Sequence, residues 1–316
     1  MFYFVVSIFK ERGNSDMKTY VVKSLNEYIE LMGKIGNGDK EKWYRGQSKC
    51  EYRLSPSAVR KVYAIEDQRG YKITNPYLDN PCSGSNNLLA FLPVDQMIAE
   101  FSEKAKEYIE YDVKTNVEWE CIAQHYGIPT RVLDWTTNAI NALFFAVCDC
   151  SIGKTDKDDI RRFMDSGGFG SGGGAVFVID PIEINKVTVP NNNFEKNPII
   201  FDAIEDAKLL EECLHNTIPP VCFSGFNKEK RISRQAGKFS TTGTLLWPMD
   251  YYTILQDQII KIFIPYSAYE SIRYQLSSLG ITHDTIYVED DEKDIIAKAI
   301  AEKTKKKFMD LFSQKR

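Results

Sequence analysis

The sequence predicts an α+β fold, a mixed, curved sheet flanked by helices. Two observations lead there. Apolar runs of strand length are scattered from one end of the chain to the other, and between them lie segments whose apolar residues recur at helical spacing. A doubly wound parallel sheet is the arrangement this prediction excludes.

The elements follow in chain order. Thr19 to Val22 is a short strand, followed by an amphipathic helix with Ser24 as N-cap and Tyr28, Ile29, Leu31 and Met32 on its apolar side. KWYRGQ is a second short strand, and residues 70–90 are rich in Asn, Pro, Ser and Gly and read as loop. Val94 to Tyr111 places Met97, Ile98, Phe101, Ala105, Tyr108 and Ile109 at helical spacing. A helix over Glu118 to His125 stops at Gly127 and Pro129, Thr130 to Thr136 is strand-like, and Asn138 to Val147 is apolar nearly all round, as a buried helix is. Residues 154–165 are charged. The glycine tract Gly167 to Gly174 is read as a flexible connector, because it lacks the Lys-Ser/Thr ending of a phosphate loop and precedes a strand rather than a helix. Ala175 to Asp180 is a buried strand, 185–200 loop, and Asp202 to Leu214 a helix. IIKIFIP and DTIYVED are strand-like, with a helix from Ser267 to Leu279 between them that closes at Gly280. The last helix, from Glu292 to Arg316, ends in a basic stretch.

Composition narrows the function classes. With 316 residues, 43% hydrophobic and 27% charged, the chain can bury a real core. The formal net charge of −4 excludes a global basic field for nucleic acid, so such binding would need a local patch; the basic tail is the candidate. Seven cysteines at irregular spacing and three histidines offer no metal-ligand pattern, and no metal is expected. Reduced thiols of this kind fit a cytoplasmic protein. The first nine residues, MFYFVVSIF, lack the basic start and small-residue cleavage site of a secretory signal. They read either as a first strand or as an extension, with Met17 opening the ordered domain. No run reaches membrane length, so no membrane partner is expected.

Three segments are polar where the pattern expects core: Trp43 to Gln47 (WYRGQ), Ala123 to Thr136 (AQHYGIPTRVLDWT), and Arg231 to Phe239 (RISRQAGKF). Arg45 presents a rigid donor fork suited to phosphate or carboxylate, or else forms a structural ion pair with Asp134. Gly46 lets either a ligand or another backbone approach closely. His125 caps its helix or faces a ligand. Asp134 shares a strand face with Val132 and Thr136, opposite Trp135. Arg45, His125, Arg131, Asp134 and Gln235 are expected to converge on one cleft.

The order of these segments, with the helix ending in Phe144-Phe145-Ala146 between the last two, resembles the FRG domain family over roughly residues 20–290. That leaves 1–19 as an extension or first strand and 291–316 as a basic C-terminal helix. More distantly, the order of elements resembles the ADP-ribosyltransferase fold. This second resemblance implies that Tyr44, Arg45, Gly46, Gln47, Arg131 and Thr136 hold an NAD-like nucleotide, with His125, Asp134 and Gln235 as catalytic residues. The chain departs from that pattern where a catalytic Glu belongs: Gln235 stands there, with Glu229 nearby, and an amide cannot act as a base. The resemblance implies NAD as substrate and ADP-ribosyl transfer by a toxin or phage-defence effector. The other reading is a non-catalytic module that recognises a phosphorylated ligand, a nucleic acid or a protein.

Overall fold

The computed structural model describes residues 17–36, 40–60, 93–149, 158–170, 172–189, 200–215, 220–225, 237–241, 248–287 and 291–314. In chain order the elements are β1 (Lys18–Val21), α1 (Leu25–Ile35), β2 (Trp43–Gln47), α2 (Ser57–Arg60), α3 (Val94–Ala105), α4 (Asn116–His125), β3 (Leu133–Thr136), α5 (Ala139–Val147), α6 (Asp159–Asp165), β4 (Gly173–Ile179), α7 (Pro181–Thr188), β5 (Phe201–Asp202), α8 (Ala207–His215), β6 (Cys222–Ser224), β7 (Gly237–Ser240), α9 (Thr253–Gln256), β8 (Ile259–Pro265), α10 (Tyr266–Ser278), α11 (His283–Ile286) and α12 (Glu292–Gln314).

The strands form one eight-stranded sheet in the order β1-β8-β4-β2-β3-β7-β6-β5. The outermost pairs, β1 with β8 and β5 with β6, are parallel. The pairs between them are antiparallel, so the sheet is mixed and not doubly wound. Alternation of side chains gives the sheet two buried faces. One carries Trp43, Trp135, Phe177, Ile259 and Phe263 beneath Phe163 of α6, Ile184 of α7 and Leu255 of α9. The other carries Tyr44, Val176, Val178, Ile262 and Ile264 beneath residues of α1, α5 and α10. Towards β7 this second face passes into a cluster with α3, α4 and α12, which includes Phe101, Ile122, Val132, Phe239 and Ala301.

Local chemistry sets several of the helix starts. Ser24 accepts from the backbone of Glu27, Thr115 and Glu118 form a capping box, and the Asn138 side chain accepts from the N–H groups of Ile140 and Asn141. Asp180 does the same for Ile182 and Glu183, with Pro181 at the first helical position. That cap makes Pro181–Thr188 a helix, so positions 185–188 of the loop expected over 185–200 are helical, while 190–199 lie outside the described residues. Two further expectations change. The helix predicted over Val94 to Tyr111 ends at Ala105 and tightens into a 3-10 turn over Lys106–Tyr108. DTIYVED opens as helix rather than strand, because Thr282 just ahead of it and Thr285 within it cap each other reciprocally. The glycine tract is also more than a connector: Gly173 and Gly174 are the first residues of β4. A Cβ at Gly173 would stand 2.1 Å from the Ile264 carbonyl oxygen, and one at Gly174 2.4 Å from that of Ala146.

Candidate functional site

The RGQ segment lies on β2, a central strand, and Gly46 fixes how it packs. A Cβ at Gly46 would fall 1.9 Å from the Ala142 carbonyl oxygen and 2.8 Å from the Ala146 nitrogen. The backbone of α5 therefore rests directly on β2 at this point. Of the two readings of Gly46, the approach of another backbone is the one the geometry gives, and α5 supplies small residues at both contacts. Tyr44 is buried on the same face, and burial raises its pKa above the usual phenol range.

Arg45 points to the opposite face. It is half-buried and stands in register with Phe177 of β4, which stands in register with Lys261 of β8. On its other side β2 and β3 share a single register position, Tyr44 with Thr136. Past it, Arg45 NH1 donates to the Asp134 carbonyl oxygen at 2.6 Å. The contact between these residues is thus a charge on a neutral backbone acceptor, not an Arg–Asp carboxylate pair. Trp135 continues the row and pairs with Lys238 of β7. Across five strands the row reads Lys261, Phe177, Arg45, Trp135, Lys238, with cations and aromatics alternating. Gln47 follows Arg45 on the same face; its Nε2 donates to the Arg53 carbonyl oxygen at 3.3 Å.

Next to Gln47 lies a buried polar cluster. Lys261 is wholly buried; its Nζ donates to the Cys50 carbonyl oxygen at 2.7 Å and sits 3.6 Å from the Phe169 ring centre. The Arg53 guanidinium lies equally close to that ring, and Arg53 pairs with the buried Asp250 carboxylate at 3.1 Å. Burial, the main cause, brings the Lys261 pKa down to about 8, and the same burial pushes the Cys50 thiol up to about 11. Sequence reading passed over this cluster. Its one visible signal was a lysine inside the apolar run IIKIFIP, and its partners Cys50, Arg53 and Asp250 are too far apart in sequence to flag one another.

The remaining candidates lie elsewhere. By register Asp134 and Thr136 share the face of Tyr44 and Gly46, away from Arg45. The Asp134 side chain is exposed, while the Thr136 hydroxyl accepts from the Asn138 backbone and so leads into α5. Arg131 is buried between two carboxylates: Glu120 takes its Nε at 3.2 Å and NH2 at 3.0 Å, and Asp95 takes NH2 at 2.6 Å. This pairing ties the segment leading into β3 to α3 and α4. His125 is half-buried at the C-terminal end of α4 and makes an edge contact with Tyr126, ring centres 4.6 Å apart. The Tyr126 hydroxyl donates to Asp294 of α12. Gln235 and Glu229 lie outside the described residues. The expected single convergence therefore divides: Arg45 and Gln47 are on one face, Asp134 and Thr136 on the other, and Arg131 is held in the helical layer.

The long middle segment is thus largely a scaffold, with Gln124 accepting from Thr130 at 2.6 Å and Arg131 closing on Glu120, while the short first segment carries the face with the cationic row. Residues 40–154 match the family model of the FRG domain. The FRG match runs from the approach to β2 through α5, and so takes in Arg45, Gln47, the Arg131–Glu120 pair and the α5 contact with Gly46. The expected extent of 20–290 is wider than this match. No curated protein and no solved structure matches the chain. No helix among the described residues is long and apolar enough to cross a membrane.

Proposed function

We propose that the chain binds a phosphorylated ligand of nucleotide type at the Arg45 face of β2. The observation that carries this reading is the row across the sheet, in which the half-buried Arg45 stands between Phe177 and Trp135 with Lys238 beyond. The Arg45 guanidinium is oriented by the Asp134 carbonyl oxygen, and its planar fork suits phosphate oxygens. Phe177 and Trp135 are buried on either side of Arg45 and wall its position on the sheet. NAD is one ligand that carries such phosphates.

ADP-ribosyl transfer is the finer form of this proposal and has less support. The Tyr44-Arg45-Gly46 strand motif and the order of elements favour it. Against it, Asp134 faces the other side of the sheet, and an amide, Gln235, stands where the catalytic Glu belongs. Binding without transfer is therefore the function favoured here, and a toxin or defence role depends on transfer. The test is calorimetric titration of the full chain with NAD, ADP-ribose and pyrophosphate, beside an assay for released nicotinamide. The proposal expects saturable binding of ADP-ribose by the wild type and its loss in Arg45→Ala. Absence of binding by all three compounds would overturn it, and nicotinamide release would establish transfer.

A further inference from the structure

Gln47 is only 7% exposed, and its Oε1 accepts no hydrogen bond among the described residues. Its orientation is not interchangeable, because the other end of the amide, Nε2, donates to the Arg53 carbonyl oxygen at 3.3 Å. Turning the amide over would set two acceptors against each other. The oxygen is thus committed as an acceptor without a donor. A buried polar atom left in this way is destabilising, and a shape-matched apolar side chain would serve the core better. Gln47 lies two positions along β2 from Arg45, on the same face, roughly 6.5 Å away along the strand.

We infer that Gln47 is the specificity residue of the Arg45 site, and that its Oε1 accepts a hydrogen bond from a sugar hydroxyl of the ligand. This inference rests on the proposed Arg45 site and names its ligand class more narrowly. A ligand that satisfies both residues carries an anionic group for the guanidinium and a hydroxyl donor a few ångströms from it. Nucleoside phosphates and ADP-ribose have that combination, whereas pyrophosphate, which binds through charge alone, does not. Sites that hydrogen-bond a ligand hydroxyl discriminate strongly against ligands lacking it, because the buried partner is then left unpaired.

The test is Gln47→Met in the full chain, titrated with ADP-ribose and with pyrophosphate, and melted without ligand. The expected result has three parts: ADP-ribose affinity falls at least tenfold, pyrophosphate affinity stays within twofold, and the unliganded variant melts at or above the wild-type temperature. Equal binding of ADP-ribose by the variant and the wild type would overturn the inference while leaving the Arg45 site standing. Equal loss of both ligands would overturn it too, since Gln47 would then only shape the strand. If the wild type binds neither compound, it is the Arg45 site itself that fails.

Discussion

Replacing Lys261 by Met tests how the sheet tolerates a buried cation. Lys261 is wholly buried on β8, and burial lowers its pKa to about 8 from 10.5. The sign follows from linkage. The folded pKa lies below the unfolded one, so between about pH 8 and 10.5 the unfolded chain binds more protons and stability rises with pH. At about 1.36 kcal/mol per unit, the lysine contributes roughly 2 kcal/mol of added stability between pH 7 and 9.5. The buried thiols Cys121 and Cys222 and the buried phenol Tyr28 have raised pKa values and oppose this trend from about pH 9 upward, but the variant shares them. Removing Lys261 also strands the Cys50 carbonyl, at a cost of about 1–3 kcal/mol that does not vary with pH. The informative quantity is therefore the stability difference between wild type and Lys261→Met, measured by urea unfolding under reducing conditions at several values from pH 7 to 9.5. It should move in favour of the wild type by about 2 kcal/mol across that range. Parallel pH profiles for the two proteins would refute the assignment of a charged, desolvated lysine at this position.

Other substitutions probe the packing. Gly46→Ala puts a methyl group 1.9 Å from the Ala142 carbonyl oxygen, so soluble folded protein should fall sharply, as read by circular dichroism and expression; a normally melting variant would contradict the direct seating of α5 on β2. Glu120→Gln leaves the Arg131 guanidinium buried with half its compensation and should cost about 3 kcal/mol or more in urea unfolding, because breaking one partner of a buried pair strands the other charge. Asn138→Ala removes the cap of α5 and should cost about 1 kcal/mol, measured the same way.

The sequence was most informative where one physical rule acted alone. The cap at Ser24, the stop at Gly280 and the buried strand β4 are local decisions, and they appear where the local pattern placed them. DTIYVED misled because its β-branched residues look like a strand, while the capping pair of its own Thr285 with Thr282 upstream decides for helix. The site was partly legible. Polar residues in apolar context pointed correctly to buried networks, but their type does not say which partners they find. Arg131 reads like Arg45 in sequence, yet Glu120 lies one helix back and claims it. Register, which sends Arg45 and Asp134 to opposite faces, depends on how β2 pairs with β3 and β4, and those pairings join residues more than 85 positions apart. The Lys261 cluster, apart from its lysine in an apolar run, was hidden for the same reason.

Under the proposed function, Arg45 is held in place to meet a ligand rather than to support the fold. Thermal melts and ADP-ribose titrations of Arg45→Ala beside Arg45→Lys test it most directly. Lysine keeps the charge and loses the planar fork. The account predicts near-wild-type melting for both variants, with ADP-ribose binding abolished in Arg45→Ala and strongly weakened in Arg45→Lys. A large fall in the melting temperature of Arg45→Ala, with binding retained in Arg45→Lys, would make Arg45 a structural cation and contradict the claim.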